Sequence, residues 1–151
     1  GIEIIDLHSV VSTELQHDAA GTPYFASDPD RCCNINKIQP LQPVLRSHDV
    51  WINGIRKDQS ETRSQMGREV RGPCNTLRYH PILGWNSKEI FYYRRLHHLP
   101  PHPLEEKGYP SIGCEPCTRR PDPMGDERSG RWFGHQKTEC GLHTDLAAKG
   151  L

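Results

Sequence analysis

Apolar residues along this chain come in short runs separated by turn formers, and each run predicts one element. Gly1-Ile-Glu-Ile-Ile is β-branched and predicts a strand of a larger sheet. Residues 8–27 have weak periodicity, and Gly21, Thr22 and Pro23 mark a loop. Asp28-Pro29 predicts a helix start: Asp28 can cap free amides, and Pro29 suits the first helical position. That helix carries Cys32, Cys33 and Lys37 and is expected to stop before Pro40. Val50-Trp-Ile-Asn-Gly-Ile reads as a buried strand followed directly by Arg56, and Asp58 with Glu61 three residues on predicts another helix start. Residues 67–81 read as a loop or an irregular strand. Asn86 with Glu89 opens a further helix through Ile90, Phe91, Tyr92 and Leu96, ended by Pro100-Pro101, its aromatics expected in the core and His97 and His98 near its end.

The composition narrows the class of protein. At 151 residues the chain fits one domain with one core. Its hydrophobic share is 34% and its mean hydropathy −0.76, so the core is thin or a partner covers part of the surface. Gly and Pro, 13 each, imply many turns. Nineteen basic residues balance nineteen acidic ones, and nothing in that balance argues for nucleic acid or an anionic membrane as a partner. No apolar run approaches the roughly 18 residues of a spanning helix, so membrane insertion is not expected. No secretory leader pattern is found, and a start at Gly1 rather than Met suggests processing or a longer parent.

Six cysteines, at 32, 33, 74, 114, 117 and 140, carry the candidate chemistry. A vicinal pair plus a Cys-x-x-Cys reads better as a metal set in a reducing compartment than as disulfides, although disulfides and plain thiols remain the alternatives. Cys114-x-x-Cys117 sits in a loop bracketed by Gly and Pro that lets two sulfurs converge. Cys32 and Cys33, adjacent on a helix, are awkward for one tetrahedral zinc and fit better on a larger cubane whose irons take one sulfur each. Lys37 lies one turn beyond Cys33 and can neutralise a thiolate-bound cluster or a bound anion; the competing reading is a solvated lysine. Arg56, Gln59, Ser60 and Arg63 gather at a strand-to-helix junction, where α/β folds bind phosphates, or are ordinary surface charge. Cys74 reads as a plain thiol. Cys140 has Lys137, His143, Arg128 and Arg131 as local cations that would lower a thiol pKa, so it is a candidate nucleophile; a structural or spare cysteine is the alternative.

Five segments taken together resemble one family: Cys32-Cys33-x-x-x-Lys37, Trp51-Ile-Asn-Gly-Ile-Arg-x-x-Gln-Ser-x-x-Arg63, Gly108-Tyr-Pro-Ser-Ile-Gly-Cys-x-Pro-Cys-Thr118, Glu127-Arg-x-Gly-Arg-Trp132 and Lys137-Thr-Glu-Cys-Gly-Leu-His143. They resemble the assimilatory adenylylsulfate (APS) reductases and the related phosphoadenylylsulfate (PAPS) reductases, in order and over most of the chain.

The resemblance implies an α/β fold of the adenine-nucleotide alpha-hydrolase-like (PP-loop) type, with a parallel core and flanking helices. It implies thiol-dependent reduction of APS to sulfite and AMP in sulfate assimilation, toward cysteine biosynthesis, through an S-sulfocysteine on Cys140. Cys32, Cys33, Cys114 and Cys117 would hold a [4Fe–4S] cluster. Lys37, Arg56, Arg63, Arg128, Arg131 and His143 would surround the phosphosulfate, and a thioredoxin- or glutaredoxin-like thiol would free sulfite. All four cluster cysteines favour APS over PAPS. Residues 1–151 then form one sulfonucleotide reductase-like domain, the C-terminal two-thirds of the family fold, with 119–151 as its active-site segment. The Ser-Gly-Gly-x-Asp-Ser type nucleotide loop of the family is not found, so the chain is expected to be N-terminally truncated, completed by another chain, or recruited as a non-catalytic [4Fe–4S] subunit of a larger assembly or homo-oligomer. A bacterial cytoplasm or a plastid, or another organelle, fits the family.

Overall fold

The structure, a computed structural model, describes residues 2–143. These fall into two compact units. The first comprises residues 2–51, 70–79 and 139–143; the second comprises 52–69 and 80–138. Helices and a small sheet are both present, as an α/β reading requires.

In the first unit, residues 2–8 form no regular element and Ile2 is 94% exposed, so the strand expected at residues 1–5 is not formed where it is described. A β-branched run makes a strand only when a neighbouring strand takes its amides, and none does so here among the described residues. The loop at Gly21 is a turn in which the Asp18 carboxylate accepts from the amides of Ala20 and Thr22, both at 2.9 Å. It leads to α1 (Tyr24–Ser27) and α2 (Pro29–Cys33). Asp28 caps α2 as expected, accepting from Arg31 N at 3.0 Å, with Pro29 in the first turn.

The helix does not stop before Pro40. A π-turn over Asn34–Ile38 joins α2 to α3 (Gln39–Arg46), with Gln39 N donating to Asn34 O five residues back. Pro40 then falls in the first turn of the resumed α-register, where a missing N–H costs little. Cys33, Ile38 and Leu45 are the buried positions of this continuous helix.

The sheet has three strands, β1 (Val50–Ile52), β2 (Glu69–Arg71) and β3 (Leu77–Tyr79), in the order β1-β3-β2. Residues 67–81 are therefore largely a hairpin, closed by Gly72 N donating to Thr76 O at 2.8 Å across a turn in which Cys74 and Asn75 have positive φ. Each strand is three residues long, and alternation sends the middle residues, Trp51, Val70 and Arg78, to one face. Val50 and Leu77 point the other way and are exposed, as is Ile52; the run 50–55 is buried only at Ile55, against expectation.

In the second unit, Asp58 does not start a helix. Lys57–Gln59 is a 3-10 turn, and Ser60 caps α4 (Glu61–Ser64) by accepting from Arg63 N at 3.3 Å. Asp58 pairs instead with Arg56. α5 (Ser87–Leu96) begins as expected: Asn86 Oδ1 accepts from Lys88 N and Glu89 N, and Glu89 Oε2 accepts from Asn86 N at 2.7 Å. His97 closes it. Its aromatics are not core: Phe91 is 52% and Tyr92 68% exposed, because the helix buries no residue at all. The core of this unit is Ile55, Leu83 and Trp132 with the buried polar side chains of Arg63 and His80.

Candidate active site

In the first unit α2 delivers Cys33 and the π-turn delivers Lys37, both to the turn that follows Cys140. Lys37 Nζ lies 3.4 Å from Cys140 Sγ, and the Cys33 thiol hydrogen-bonds the same sulfur. The Cys140 thiol is pulled down to about 5, first by the hydrogen bond from Cys33, then by the Lys37 charge and the Leu142 amide, against the opposing effect of burial. Cys33 is pushed up by the same contact and by burial. The proton therefore rests on Cys33 and the negative charge on Cys140, the sulfur that an ammonium and a backbone N–H both face.

The backbone fixes that sulfur from both sides. Cys140 N donates to Glu139 Oε1 at 2.9 Å, and Glu139 is buried. His143 N donates to Cys140 O at 2.8 Å, closing the 3-10 turn Gly141–His143. The His143 ring stacks on Trp51, with centroids 6.4 Å apart and planes 17° apart. Arg78 lies over the same indole at 4.6 Å.

Cys32 has its own support. The Asn36 amide donates to Cys32 O at 2.9 Å and to Cys32 Sγ at 3.6 Å. Gln16, itself buried, exchanges two hydrogen bonds with Asn36. Sequence reasoning missed Gln16, Asn36, Trp51 and Arg78 as supports. Asn36 lay within reach, four residues after Cys32 on one helix face; the others meet only in the fold.

In the second unit a cavity of about 660 Å3 is lined by Arg56, Lys57, Ser60, Ser111 and Arg128 among others, with Asp58, Glu61, Asp126 and Glu127 supplying opposite charge. Arg56 Nε lies 2.9 Å from Asp58 Oδ1, and its Nη2 donates to Ser87 Oγ at 3.1 Å. Arg128 donates to Thr138 O at 3.1 Å. Arg63, expected beside Arg56, is not among the lining residues: it is buried and its guanidinium donates to Gln59 Oε1.

The Cys-x-x-Cys loop is a 3-10 turn, Glu115–Cys117, with Cys117 N donating to Cys114 O at 3.0 Å. Thr118 Oγ1 tightens it, donating to Cys114 O at 2.9 Å and accepting from Gly113 N at 3.0 Å. Arg131 folds onto this loop: Nη1 donates to Ile112 O at 3.1 Å, and its guanidinium occupies the space a Cβ on Gly113 would take. Trp132 N donates to Cys117 O, so the arginine-bearing segment is laced to the second cysteine.

The structure thus brings Cys33, Lys37, Cys140 and His143 together in one unit. In the other, Arg56 and Arg128 share a cavity, and Arg131 joins the loop of Cys114 and Cys117. None of the six cysteines, all among the described residues, forms a disulfide. Among the described residues, no three His, Cys, Asp or Glu side chains converge as a bound metal ion would need.

The phosphoadenosine phosphosulfate reductase domain model matches residues 2–120. The chain belongs to that family. Adenosine 5'-phosphosulfate reductases from Rhodococcus erythropolis, Lysinibacillus sphaericus and Halalkalibacterium halodurans are 39%, 41% and 44% identical to it over 144, 145 and 135 residues. These matches cover 95%, 94% and 88% of this chain, but 58%, 61% and 58% of the relatives, so it spans about three-fifths of their length. The resemblance drawn from the five motifs is borne out, and with it the α/β fold class of the family. No described helix is long and apolar enough to cross a membrane.

Proposed function

We propose that the chain is the thiol-bearing part of an APS reductase, with Cys140 as nucleophile. The observation that carries this is the Lys37–Cys140 contact at 3.4 Å, because sulfur attack needs a thiolate and a fixed cation beside it. The Cys140 thiolate attacks the sulfur of APS. An S–S bond forms, the S–O bond to the phosphate breaks, and AMP leaves with the electron pair. A dithiol of the thioredoxin or glutaredoxin class then attacks the Cys140 sulfur of the S-sulfocysteine. Sulfite leaves, Cys140 returns as thiol, and the dithiol ends as a disulfide.

Each cation has a part in this reading. Arg56 and Arg128, in the polar cavity, and Arg131 bind the phosphate and sulfate oxygens; Lys37 and His143, in the unit of Cys140, neutralise charge at the reacting sulfur. Arg63 shapes the junction through Gln59. APS rather than PAPS as substrate is supported by the names of the relatives. The whole chain, 1–151, is read as one piece of a reductase domain, with 119–151 as its active-site segment; residues 144–151 lie outside the described ones. The relatives are bacterial, which supports a bacterial cytoplasmic setting over a plastid.

A [4Fe–4S] cluster on Cys32, Cys33, Cys114 and Cys117 fits the chemistry of the donor set. None of the four is in a disulfide, and two of them are consecutive on one helix, a pairing that suits separate irons better than one zinc. When bound, the cluster supplies a fixed charge and binds four thiolates. With Cys33 committed to iron, Lys37 and the Leu142 amide remain to hold the Cys140 thiolate.

The test is to incubate the protein with labelled APS and map the adduct. An S-sulfo group on Cys140, absent in Cys140→Ser, supports the reading. No adduct on wild type, with iron and sulfide present, would leave the non-catalytic iron–sulfur subunit. Iron and sulfide analysis with a Cys114→Ala control tests the cluster, and stoichiometric zinc would overturn it.

A further inference from the structure

Trp51 and Arg78 are the middle residues of neighbouring strands β1 and β3, so alternation sends both to one face. There the Arg78 guanidinium lies 4.6 Å from the indole centroid. Arg78 is 8% exposed, and its Nε has no hydrogen-bond partner among the described residues. A guanidinium so dry draws its stabilisation from what it touches, and an indole face is the best neutral surface for a cation. The contact is reciprocal: the cation fixes the indole. On that same ring rests His143, its plane within 17° of parallel. His143 is also the far end of the turn whose near end is Cys140, the two joined by the 2.8 Å hydrogen bond from His143 N to Cys140 O. The turn has few ways to move once its imidazole is held. Lys37 can meet Cys140 Sγ at 3.4 Å only while it stays in place.

We propose that Trp51 is a positioning residue for the Cys140–His143 turn: its indole, fixed by the Arg78 cation, carries His143 and so keeps the Cys140 sulfur against Lys37. The proposal deepens the reading of Cys140 as nucleophile and rests on it. It differs from ordinary packing in one respect. Trp51 is only half-buried, and a filler there would be replaceable by leucine, whereas a platform for an imidazole and a guanidinium needs an aromatic face.

The test uses the full chain and iodoacetamide as probe, with alkylation of Cys140 followed by peptide mass spectrometry and Cys74 in the same sample as the reference for folding. Trp51→Leu is expected to slow Cys140 alkylation roughly tenfold, because a released turn carries the sulfur away from Lys37 Nζ, which it meets at 3.4 Å, and leaves it an unassisted thiol. Trp51→Phe is expected to stay within about twofold of wild type, and Trp51→Leu to slow alkylation less in a Lys37→Met background than in wild type, as two changes that share one contact must. Proton NMR of His143, assigned through His143→Gln, is expected to show ring-current shifts that Trp51→Leu removes and Trp51→Phe keeps. Should Trp51→Leu change Cys74 as well, His143→Leu removes the stack from the other side and is expected to slow Cys140 alike. Equal rates for the Leu and Phe variants, effects of Trp51→Leu and Lys37→Met that multiply, or His143→Leu within about twofold of wild type would overturn the proposal. Because the probe is not a sulfonucleotide, failure of APS to modify Cys140 would sink the enzymatic reading and leave the stack standing. Unchanged alkylation sinks the stack alone.

Discussion

Lys37 Nζ and Cys140 Sγ, 103 residues apart in sequence, lie 3.4 Å apart in the fold. The pair sets the chemistry of the first unit, since it decides which of two neighbouring sulfurs is the anion. In cluster-free protein the Cys140 thiol is held down to about 5, with the Cys33 hydrogen bond as the largest cause and Lys37 next. A depressed pKa means the thiolate is present above that value and lost as pH falls through it. The iodoacetamide rate at Cys140 should therefore titrate with a midpoint near 5. At neutral pH it should exceed that of an ordinary thiol by on the order of tenfold or more. Cys33→Ala removes the largest cause and is expected to raise the midpoint, and so is Lys37→Met. Binding of the cluster, which takes Cys33 out of the hydrogen bond, should shift it in the same direction. A midpoint between 8 and 9, the ordinary thiol range, in the cluster-free protein would refute the assignment of charge.

Two glycines that meet the arginines of the second unit should behave differently. A Cβ on Gly113 would fall 2.0 Å from the Arg131 guanidinium, the far end of a flexible side chain. Gly113→Ala should therefore displace Arg131 from Ile112 O and cost about 1 kcal/mol or less. A Cβ on Gly130 would fall 2.1 Å from the Arg119 carbonyl oxygen, which is backbone and itself accepts no easy shift because Arg119 N is bonded to Gly130 O. Gly130→Ala should cost about 3 kcal/mol, a fall in melting temperature of roughly 6–12 °C in a chain of this size. Differential scanning calorimetry of both variants checks this; equal melting temperatures would show that the Arg119–Gly130 contact is not tight.

The helix that holds Ile90 and Tyr93 depends on a local device. Asn86 accepts from two amides and Glu89 returns a bond to Asn86 N, while no residue of α5 is buried. With so little tertiary support, the cap carries a large share of the stability of the helix. Asn86→Ala should cost about 1 kcal/mol and speed amide exchange along Ser87–Leu96 more than elsewhere. Protection unchanged by the substitution would mean that something else holds the helix.

That contrast explains what the sequence could and could not show. The caps at Asp28 and Asn86 were legible because the chemistry of a cap lies within four residues. The approach of Lys37 to the Cys33 face was legible from helical spacing. The end of the first helix was not, because the π-turn that lets the chain run on through Pro40 is a property of hydrogen-bond register, not of any single residue. The exposure of Phe91 and Tyr92 was not legible either: an aromatic run gives no sign of whether another element covers it. Trp51 and Arg78 each looked ordinary, and only strand pairing puts them in contact. Arg131 was expected near substrate on motif grounds, but its fold-back over Gly113 is set by a tertiary bridge between Thr118 and Arg131.

Arg56 supplies the last prediction. Its guanidinium is engaged by Asp58 at 2.9 Å and by Ser87 at 3.1 Å, yet it still lines the cavity of the second unit. The side chain is thus pre-oriented by its neighbours while its charge is partly neutralised by one of them. Arg56→Gln removes the charge and should raise the APS concentration for half-maximal Cys140 adduct formation by roughly tenfold, the worth of one charge-assisted hydrogen bond. Asp58→Asn keeps the geometry through an amide oxygen but releases the charge, and should lower that concentration, with a stronger dependence on salt. Neither variant should alter iodoacetamide alkylation of Cys140, since the probe carries no anion to be recognised. If Arg56→Gln and Asp58→Asn shift the concentration dependence in the same direction, the cavity is not the anion site, and Arg56 serves only to hold the Lys57–Gln59 turn.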